Sequence, residues 1–288
     1  MPELPEVECV RRGLEPALVG ARIGRVEVRR PDLRFPFPPR FAERLTGRQV
    51  RAIERRSKYL LVRLDNAESL VLHLGMSGRF VLAENQLGTY VHTIDRLACH
   101  DHVIIETLEG ARIVYNDPRR FGFMLLIRDE EIARHELFAK LGIEPLSEDL
   151  TPQYLRDKAA GRRCDLKAFL MDQHVIAGLG NIYVCEALFR AGLAPTRVAC
   201  CLSEGRGAHA RAVRLVQAVH DVLIDAVAAG GSTLRDWRKA DGSEGQFSLR
   251  HAVYGREDEA CRRDGCTGRI RRVNQAQRSS FYCPKGQR

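Results

Sequence analysis

The sequence predicts an α+β fold: an N-terminal antiparallel β-sandwich with one flanking helix, a helical C-terminal domain, and a small terminal β-hairpin. Three observations carry this. Short alternating apolar runs fill the stretch from Ala21 to about Arg128, with glycine, proline and asparagine between many of them. From Thr151 onward the apolar period is helical. The end of the chain holds three cysteines around a short polar turn, Gln275-Ala-Gln277.

In chain order, Val7, Val10, Leu14 and Leu18 give a first helix one apolar face, and Gly20 ends it. The strands include Ile23–Val28, Tyr59–Leu64, Leu70–Leu74, Val103–Ile105, Ile113–Tyr115 and Phe123–Ile127. Residues 130–141 read as a short helix, and Gly142 to Asp149 as a proline-bearing acidic connector. Leu166–Met171, Ile182–Ala191 and Gly207–Ala229 are the main later helices, the last stopped by Gly230-Gly231. A polar loop from Ser232 to Gly245 carries the sole tryptophan, Trp237, and strands at Ile270–Val273 and Ser279–Tyr282 form the hairpin. The expected domains are residues 1–140, a linker at 141–150, a helical domain at 151–250 and the hairpin at 251–288.

At 288 residues, with 44% hydrophobic and 29% charged, the chain can bury a core and is not of the disordered class. No apolar run reaches bilayer length, and the charged start MPELPEVECVRR lacks the apolar region of a secretory signal, so a cytoplasmic, nucleoid-associated protein is expected. The net charge is +9. From Cys261 to Arg288 there are eight basic residues and one acid, which concentrates the excess in one short segment and favours phosphate contact over a merely solvated face. Six of the nine cysteines are scattered among apolar residues and are expected mostly as small buried hydrophobes.

Several motifs can carry chemistry, although each has an ordinary structural explanation. Met1 precedes the small Pro2, so its removal is expected. Pro2 would then present a secondary amine, and a chain-terminal amine titrates near neutral pH and is partly nucleophilic there. Glu3 and Glu6 follow on the opening of the helix, where glutamates are common anyway. Lys58 is a lone cation entering an apolar strand. Two tight turns, His73-Leu-Gly-Met-Ser-Gly78 and Asp117-Pro-Arg-Arg-Phe-Gly122, could present Met76, Arg119 and Phe121 as wedges into a duplex. Gly178-Leu-Gly-Asn181 opens a helix with free N–H groups suited to phosphate.

Taken together, the Pro2-Glu-Leu-Pro-Glu-Val7 start, Lys58 before Tyr-Leu-Leu, both turns, Gly178-Leu-Gly-Asn-Ile-Tyr183 and Ala276-Gln-Arg-Ser-Ser-Phe-Tyr-Cys-Pro284 fall in the order and spacing of one family. The chain resembles bacterial formamidopyrimidine-DNA glycosylases from end to end. The resemblance implies a helix-two-turn-helix in the helical domain and a zinc-finger hairpin at the end. It implies excision of oxidised purines, 8-oxoguanine and formamidopyrimidines, from double-stranded DNA. Strand cleavage by β,δ-elimination then follows through a Schiff base on Pro2. By the same resemblance Glu3 acts as general acid/base, Glu6 supports the site, and Lys58 donates a proton or binds phosphate. Met76, Arg119 and Phe121 fill the gap left by the flipped base, with Arg119 addressing the orphan cytosine. Asn181 and Arg278 clamp phosphates, Arg278 being counted with the catalytic group. Lys167 lies near the lesion pocket, His102 is among the DNA contacts, and the segment Ser232–Gly245 covers the flipped base. A monomer with no membrane partner is expected.

One departure stands out. The family hairpin holds zinc with four cysteines, and here Cys261, Cys266 and Cys283 are present but Gly286 stands where the fourth is expected. Structural zinc is four-coordinate. Zn2+ held more weakly by three thiolates and an outside ligand, Asp264 or water, is the favoured expectation, against a metal-free hairpin or an impaired one. Two other readings of the chain stay open: an enzyme for oxidised pyrimidines, and a damage-binding protein without turnover. The Glu-Leu-Pro-Glu start and the Arg119/Phe121 turn argue against the first, and the retained Pro2, Glu3 and Lys58 against the second.

Overall fold

The computed structural model describes residues 2–83, 97–232 and 245–288. It divides into two compact units, one formed by Met1–Ala139 with Ala229–Ser248, the other by Lys140–Ala228 with Leu249–Arg288. The α+β class holds: antiparallel sheets dominate the first unit and helices the second.

The first unit opens with α1 (Leu4–Leu18), whose buried Val7, Val10, Leu14 and Leu18 form the stripe expected from the sequence. Eight strands follow among the described residues: β1 (Ile23–Val28), β2 (Val50–Arg56), β3 (Tyr59–Leu64), β4 (Glu68–His73), β5 (Arg79–Ala83), β6 (Asp101–Thr107), β7 (Arg112–Asn116) and β8 (Phe123–Arg128). They make two four-stranded antiparallel sheets, ordered β1-β6-β7-β5 and β2-β3-β4-β8. Leu60, Val62, Leu70 and Leu72 of one sheet and Ile23, Val103, Ile105 and Ile113 of the other belong to a single core with the stripe of α1. Burying that core is the main stabilising term of the unit. A short helix, α2 (Phe41–Leu45), adds Phe41 and Leu45 to it.

The short helix expected at residues 130–141 is not an α-helix. Asp129–Arg134 forms a 3-10 helix, and turns follow. Its first turn is Asp129, Glu130 and Glu131 with no buried residue, so no apolar face rewards a longer helix. Phe138 is the buried anchor and meets the Tyr59 ring edge-on at 5.2 Å.

The second unit contains α3 (Pro152–Ala159), α4 (Leu166–Met171), α5 (Asn181–Ala191) and α6 (Ala208–Ala228). Thr151 caps α3 by accepting from the Tyr154 amide at 3.0 Å, and Gly192 ends α5 in the left-handed conformation. The hairpin pairs β9 (Arg271–Gln275) with β10 (Arg278–Tyr282). Its two turn residues, Ala276 and Gln277, both have positive φ, the geometry of a tight two-residue turn that usually recruits glycine or asparagine. The hairpin core joins Ile270 and Cys283 to Cys185 and Phe189 of α5.

Two of the six scattered cysteines, Cys185 and Cys201, are buried as expected. Cys99 and Cys164 are exposed, and Cys9 and Cys200 are half-buried. Cys9 lies within α1, Cys99 and Cys200 lie in short 3-10 turns, and Cys164 lies in the bend before α4. No helix among the described residues is long and apolar enough to cross a membrane.

Candidate functional site

The opening of α1 is built around the Glu6 carboxylate. Glu6 is 2% exposed, and its Oε2 accepts from the Glu3 amide at 2.8 Å while Oε1 accepts from the Ser232 amide at 2.8 Å. Two backbone donors therefore fix this carboxylate, and through it the backbone next to Pro2. Pro2 and Glu3 are buried as well. Glu6 is thereby a strut of the chain start rather than a free acid. The expected covering segment, Trp237 included, lies outside the described residues except at its two ends.

Lys58 is buried at the β2–β3 turn, after Ser57, whose φ of 56° makes the turn tight. Beside it, His73 stacks on Phe123 with ring centroids 5.3 Å apart. Burial, with the Lys58 and Arg34 charges, pushes the His73 pKa down to about 4, so the ring is neutral at physiological pH. Its Nδ1 accepts from the Gly75 amide at 3.1 Å, which places the proton on Nε2.

The two turns marked in the sequence interlock. Asp117 is fully buried and accepts from the Ser77 hydroxyl at 2.5 Å, the Gly122 amide at 2.9 Å and the Tyr115 hydroxyl at 3.3 Å. Ser77 Oγ in turn accepts from the Arg119 amide at 3.1 Å. Burial foremost, then the Asp117 charge, raises the Tyr115 pKa well above its usual value and keeps the hydroxyl a donor. Gly75 and Gly122 allow the close approach. A Cβ at Gly75 would lie 2.3 Å from the Phe121 carbonyl carbon, and one at Gly122 would lie 1.8 Å from the Tyr115 hydroxyl. At the apex Arg120 adopts a left-handed φ of 57°, a strained conformation for a non-glycine residue that the surrounding bonds hold in place.

This frame presents apolar and cationic groups outward. Met76 is 38% and Phe121 44% exposed, and the Arg119 guanidinium lies over the Phe121 ring at 4.8 Å. All three expected wedge residues thus stand on one rigid pair of turns. His102 differs from expectation. It is 3% exposed, and its Nε2 lies 2.9 Å from the Asp117 carbonyl oxygen. It props the turn from inside and offers no surface to a ligand, because strand β6 turns its side chain inward. The half-exposed neighbour His100 is the accessible one.

In the second unit Gly178, Leu179 and Gly180 lead into α5, and Gln173 ties this loop down. Its Oε1 accepts from the Gly178 amide at 2.9 Å, and its Nε2 donates to the Leu179 carbonyl at 2.8 Å. Asn181, the first residue of α5, donates to the Ser279 carbonyl at 2.9 Å, and its buried Oδ1 has no partner among the described residues. Lys167 is 2% exposed and donates to Ser280 Oγ at 2.7 Å and to the Ser279 carbonyl at 3.3 Å. Both side chains therefore hold strand β10 directly after Arg278, which is exposed beside the hairpin turn. Lys167 is engaged with the hairpin rather than turned outward.

Sequence reasoning missed Asp117, Tyr115, Ser77 and Glu186. Glu186 is 1% exposed and accepts from three successive amides, Ala252 at 2.8 Å, Val253 at 3.0 Å and Tyr254 at 2.9 Å, which ties the approach to the hairpin onto α5. A single carboxylate inside the apolar run Ile182–Ala191 was the signal that could have found it.

Cys261, Cys266 and Cys283 bring their sulfurs within 4.8 Å of one another and form a group that could hold a metal ion. The Cys266–Cys283 separation is 3.7 Å, close to the ~3.8 Å edge of a tetrahedron with metal–sulfur bonds of about 2.3 Å. Asp264, a candidate fourth ligand, is exposed and outside the group.

Two family profiles match the chain: the formamidopyrimidine-DNA glycosylase N-terminal domain over residues 1–124, and the formamidopyrimidine-DNA glycosylase H2TH domain over residues 141–237. A formamidopyrimidine-DNA glycosylase of Ruegeria sp. (strain TM1040) is 52% identical over 288 residues, covering all of both chains. The crystal structure of the MutM (Fpg) protein from Thermus thermophilus matches with a TM-score of 0.82 at 37% identity, covering 99% of this chain and 98% of that one. A Lactococcus lactis Fpg mutant, in complex with a Fapy-dG containing DNA, matches with a TM-score of 0.84 at 31% identity over the whole of both chains. The interlocked turns, the buttressed chain start and the cysteine-bearing hairpin are therefore features of a protein that belongs to the formamidopyrimidine-DNA glycosylase family.

Proposed function

We propose that this chain is a base-excision-repair DNA glycosylase and abasic-site lyase that removes oxidised purines, 8-oxoguanine and formamidopyrimidines, from double-stranded DNA. The observation that carries the reading is the pair of interlocked turns presenting Met76, Arg119 and Phe121. A base inside a stack is out of reach of any side chain, so it must be flipped out and its place filled. Unstacking costs a few kcal/mol per step, and inserted side chains together with phosphate contacts offset it. Phe121 and Met76 serve as the wedge, and Arg119 offers the orphan cytosine hydrogen-bond donors. Asn181 and Arg278 grip backbone phosphates, and Lys167 positions the strand that carries Arg278.

The chemistry follows from the chain start. With Met1 removed, the Pro2 nitrogen attacks C1′ of the flipped nucleotide. The glycosidic bond breaks, and the base leaves with a proton. Glu3 moves protons as the sugar ring opens to the Schiff base. Successive loss of the 3′ and 5′ phosphates then cuts the strand. Lys58 supplies a positive charge or a proton beside the lesion. Glu6 holds Glu3, and His102 holds the Asp117 turn. Zn2+ is the metal we assign to the three cysteines, where it would fasten the hairpin that carries Arg278. The enzyme acts as a monomer in the cytoplasm, at the nucleoid.

Excision assays on duplexes carrying 8-oxoguanine or thymine glycol, run side by side, test this reading. Release of 8-oxoguanine with strand scission, and little action on thymine glycol, is the expected result. A preference for thymine glycol would move the chain to oxidised pyrimidines, and tight lesion binding without cleavage would make it a binding protein.

A further inference from the structure

The environment of Gly286 bears on how three cysteines complete a four-coordinate site. The Gly286 amide donates to Cys283 Sγ at 3.3 Å, so this peptide already borders the cysteine cluster. A Cβ at Gly286 would lie 3.6 Å from Cys266 Sγ and 3.4 Å from Arg263 Nε, both ordinary contacts, and its backbone is not left-handed. The position therefore accepts a side chain, and what it lacks is the donor atom.

Arg263 stands on the far side of that position. Its guanidinium lies over the Phe189 ring at 5.1 Å, and its Nη2 donates to the Phe189 carbonyl. These contacts fix the fork. The Nε that faces Gly286 is buried and has no acceptor among the described residues. A buried N–H seldom goes unpaired in a folded protein. Other protein donors nearby are committed. The Gln287 Oε1 accepts from the Cys283 amide at 2.9 Å, its Nε2 donates to the Leu193 carbonyl at 2.8 Å, and Asp264 is outside the donor group.

We propose that Gly286 leaves the fourth coordination position of the metal to a small exogenous anion, and that Arg263 holds this anion through its Nε–H. The inference rests on the assignment of Zn2+ to the three cysteines. A divalent metal with three thiolates carries one net negative charge, and an anionic fourth ligand makes it two. The Arg263 cation offsets the added charge while its N–H gains an acceptor. Solvent hydroxide and chloride share this chemistry. A soft, thiolate-rich site accepts either, and the Lys285 charge, which acts on Cys266, favours an anion over a neutral donor.

The test uses the full-length protein loaded with cobalt(II), whose visible spectrum reports the ligand set, and sodium azide as the probe anion. The wild-type spectrum should shift saturably with azide. Arg263→Gln should bind azide at least tenfold more weakly, and Gly286→Cys should not respond. X-ray absorption at the zinc edge, with and without chloride, should show three sulfurs plus one oxygen or one chlorine in the wild type and four sulfurs in Gly286→Cys, which separates the two sources. A cobalt-loaded wild type insensitive to azide, or Arg263→Gln with wild-type azide affinity, would overturn the proposal while leaving the metal assignment intact. A wild-type chain that takes up neither cobalt nor zinc while Gly286→Cys takes up both would overturn the metal assignment itself, and the proposal with it. Should Arg263→Gln fail to hold cobalt, Phe189→Leu, which loosens the guanidinium without removing it, should weaken azide binding, and unchanged affinity there would count against Arg263.

Discussion

The two units each hold, on a tight turn, exposed residues that we propose face DNA, but they fix those turns by different means. In the first unit, a fully buried Asp117 collects three hydrogen bonds, and two glycines let the Met76 and Phe121 turns interlock. In the second, the hairpin that carries Arg278 has a small core and leans on side chains of the helices, Lys167, Asn181 and Glu186, and on three cysteines. The first turn pair needs nothing beyond its own polypeptide. The second is too small to be self-sufficient and borrows stability from α5 and, under the proposed assignment, from a metal at its three cysteines. Loss of one residue therefore acts differently in the two places: Gly286 removes a ligand yet leaves the hairpin tied down elsewhere, whereas Asp117 has no substitute.

Asp117→Ala should break the comparison most visibly. It leaves the Ser77 and Tyr115 hydroxyls and the Gly122 amide buried without their acceptor, and we expect a loss of about 4 kcal/mol in urea unfolding of the first unit, whether or not metal is present. Acid should act on the same unit. The half-buried His73 has its pKa at about 4 in the folded chain against 6.5 when unfolded. Between those values the unfolded chain binds more protons, so the His73 contribution is complete above about 6.5 and falls by up to about 3 kcal/mol as pH drops toward 4. His73→Gln should flatten that part of the stability–pH curve, measured by denaturant midpoints.

Smaller effects sharpen the account of the hairpin. Glu186→Gln keeps one acceptor oxygen but sets an amide donor against a backbone N–H, and should destabilise the second unit by about 2 kcal/mol in the same assay. With zinc held as proposed, stripping it with a strong chelator should weaken lesion-DNA binding by about tenfold through loss of the proposed Arg278 phosphate contact, read by fluorescence anisotropy, with little change in the unfolding of the first unit. Phe121→Ala should alter stability least, by no more than about 0.5 kcal/mol, because the ring is 44% exposed. Excision should nevertheless fall by about tenfold, since the wedge offsets unstacking only when the base is flipped. A large stability loss in Phe121→Ala would mean that the ring belongs to the frame rather than to the interface.

Much of this was legible in the sequence, because it depends on local signals. The α1 stripe, the strand runs, the helix stop at Gly230 and the presence of the hairpin all follow from apolar period and turn chemistry. Met76, Arg119 and Phe121 could be singled out because their turns are short and rich in glycine. What stayed hidden was long-range. Asp117 and Ser77 lie 40 residues apart, and Glu186 and Ala252 lie 66 apart, so nothing in either neighbourhood announces the bond. His102 shows the same limit from the other side: its strand register turns it inward onto the Asp117 carbonyl. The segment around 130–141 misled because scattered apolar residues imitate a helical period, yet only Phe138 among them is buried.

The central claim is that the Pro2 amine carries the chemistry. The most direct measurement is borohydride trapping of the enzyme on 8-oxoguanine DNA, followed by mass spectrometry of the cross-linked peptide. The account predicts one adduct on Pro2 in a chain lacking Met1, and its disappearance, together with base excision, in Pro2→Gly. An adduct mapped to Lys58 or any other lysine, or undiminished excision by protein that retains Met1, would contradict it.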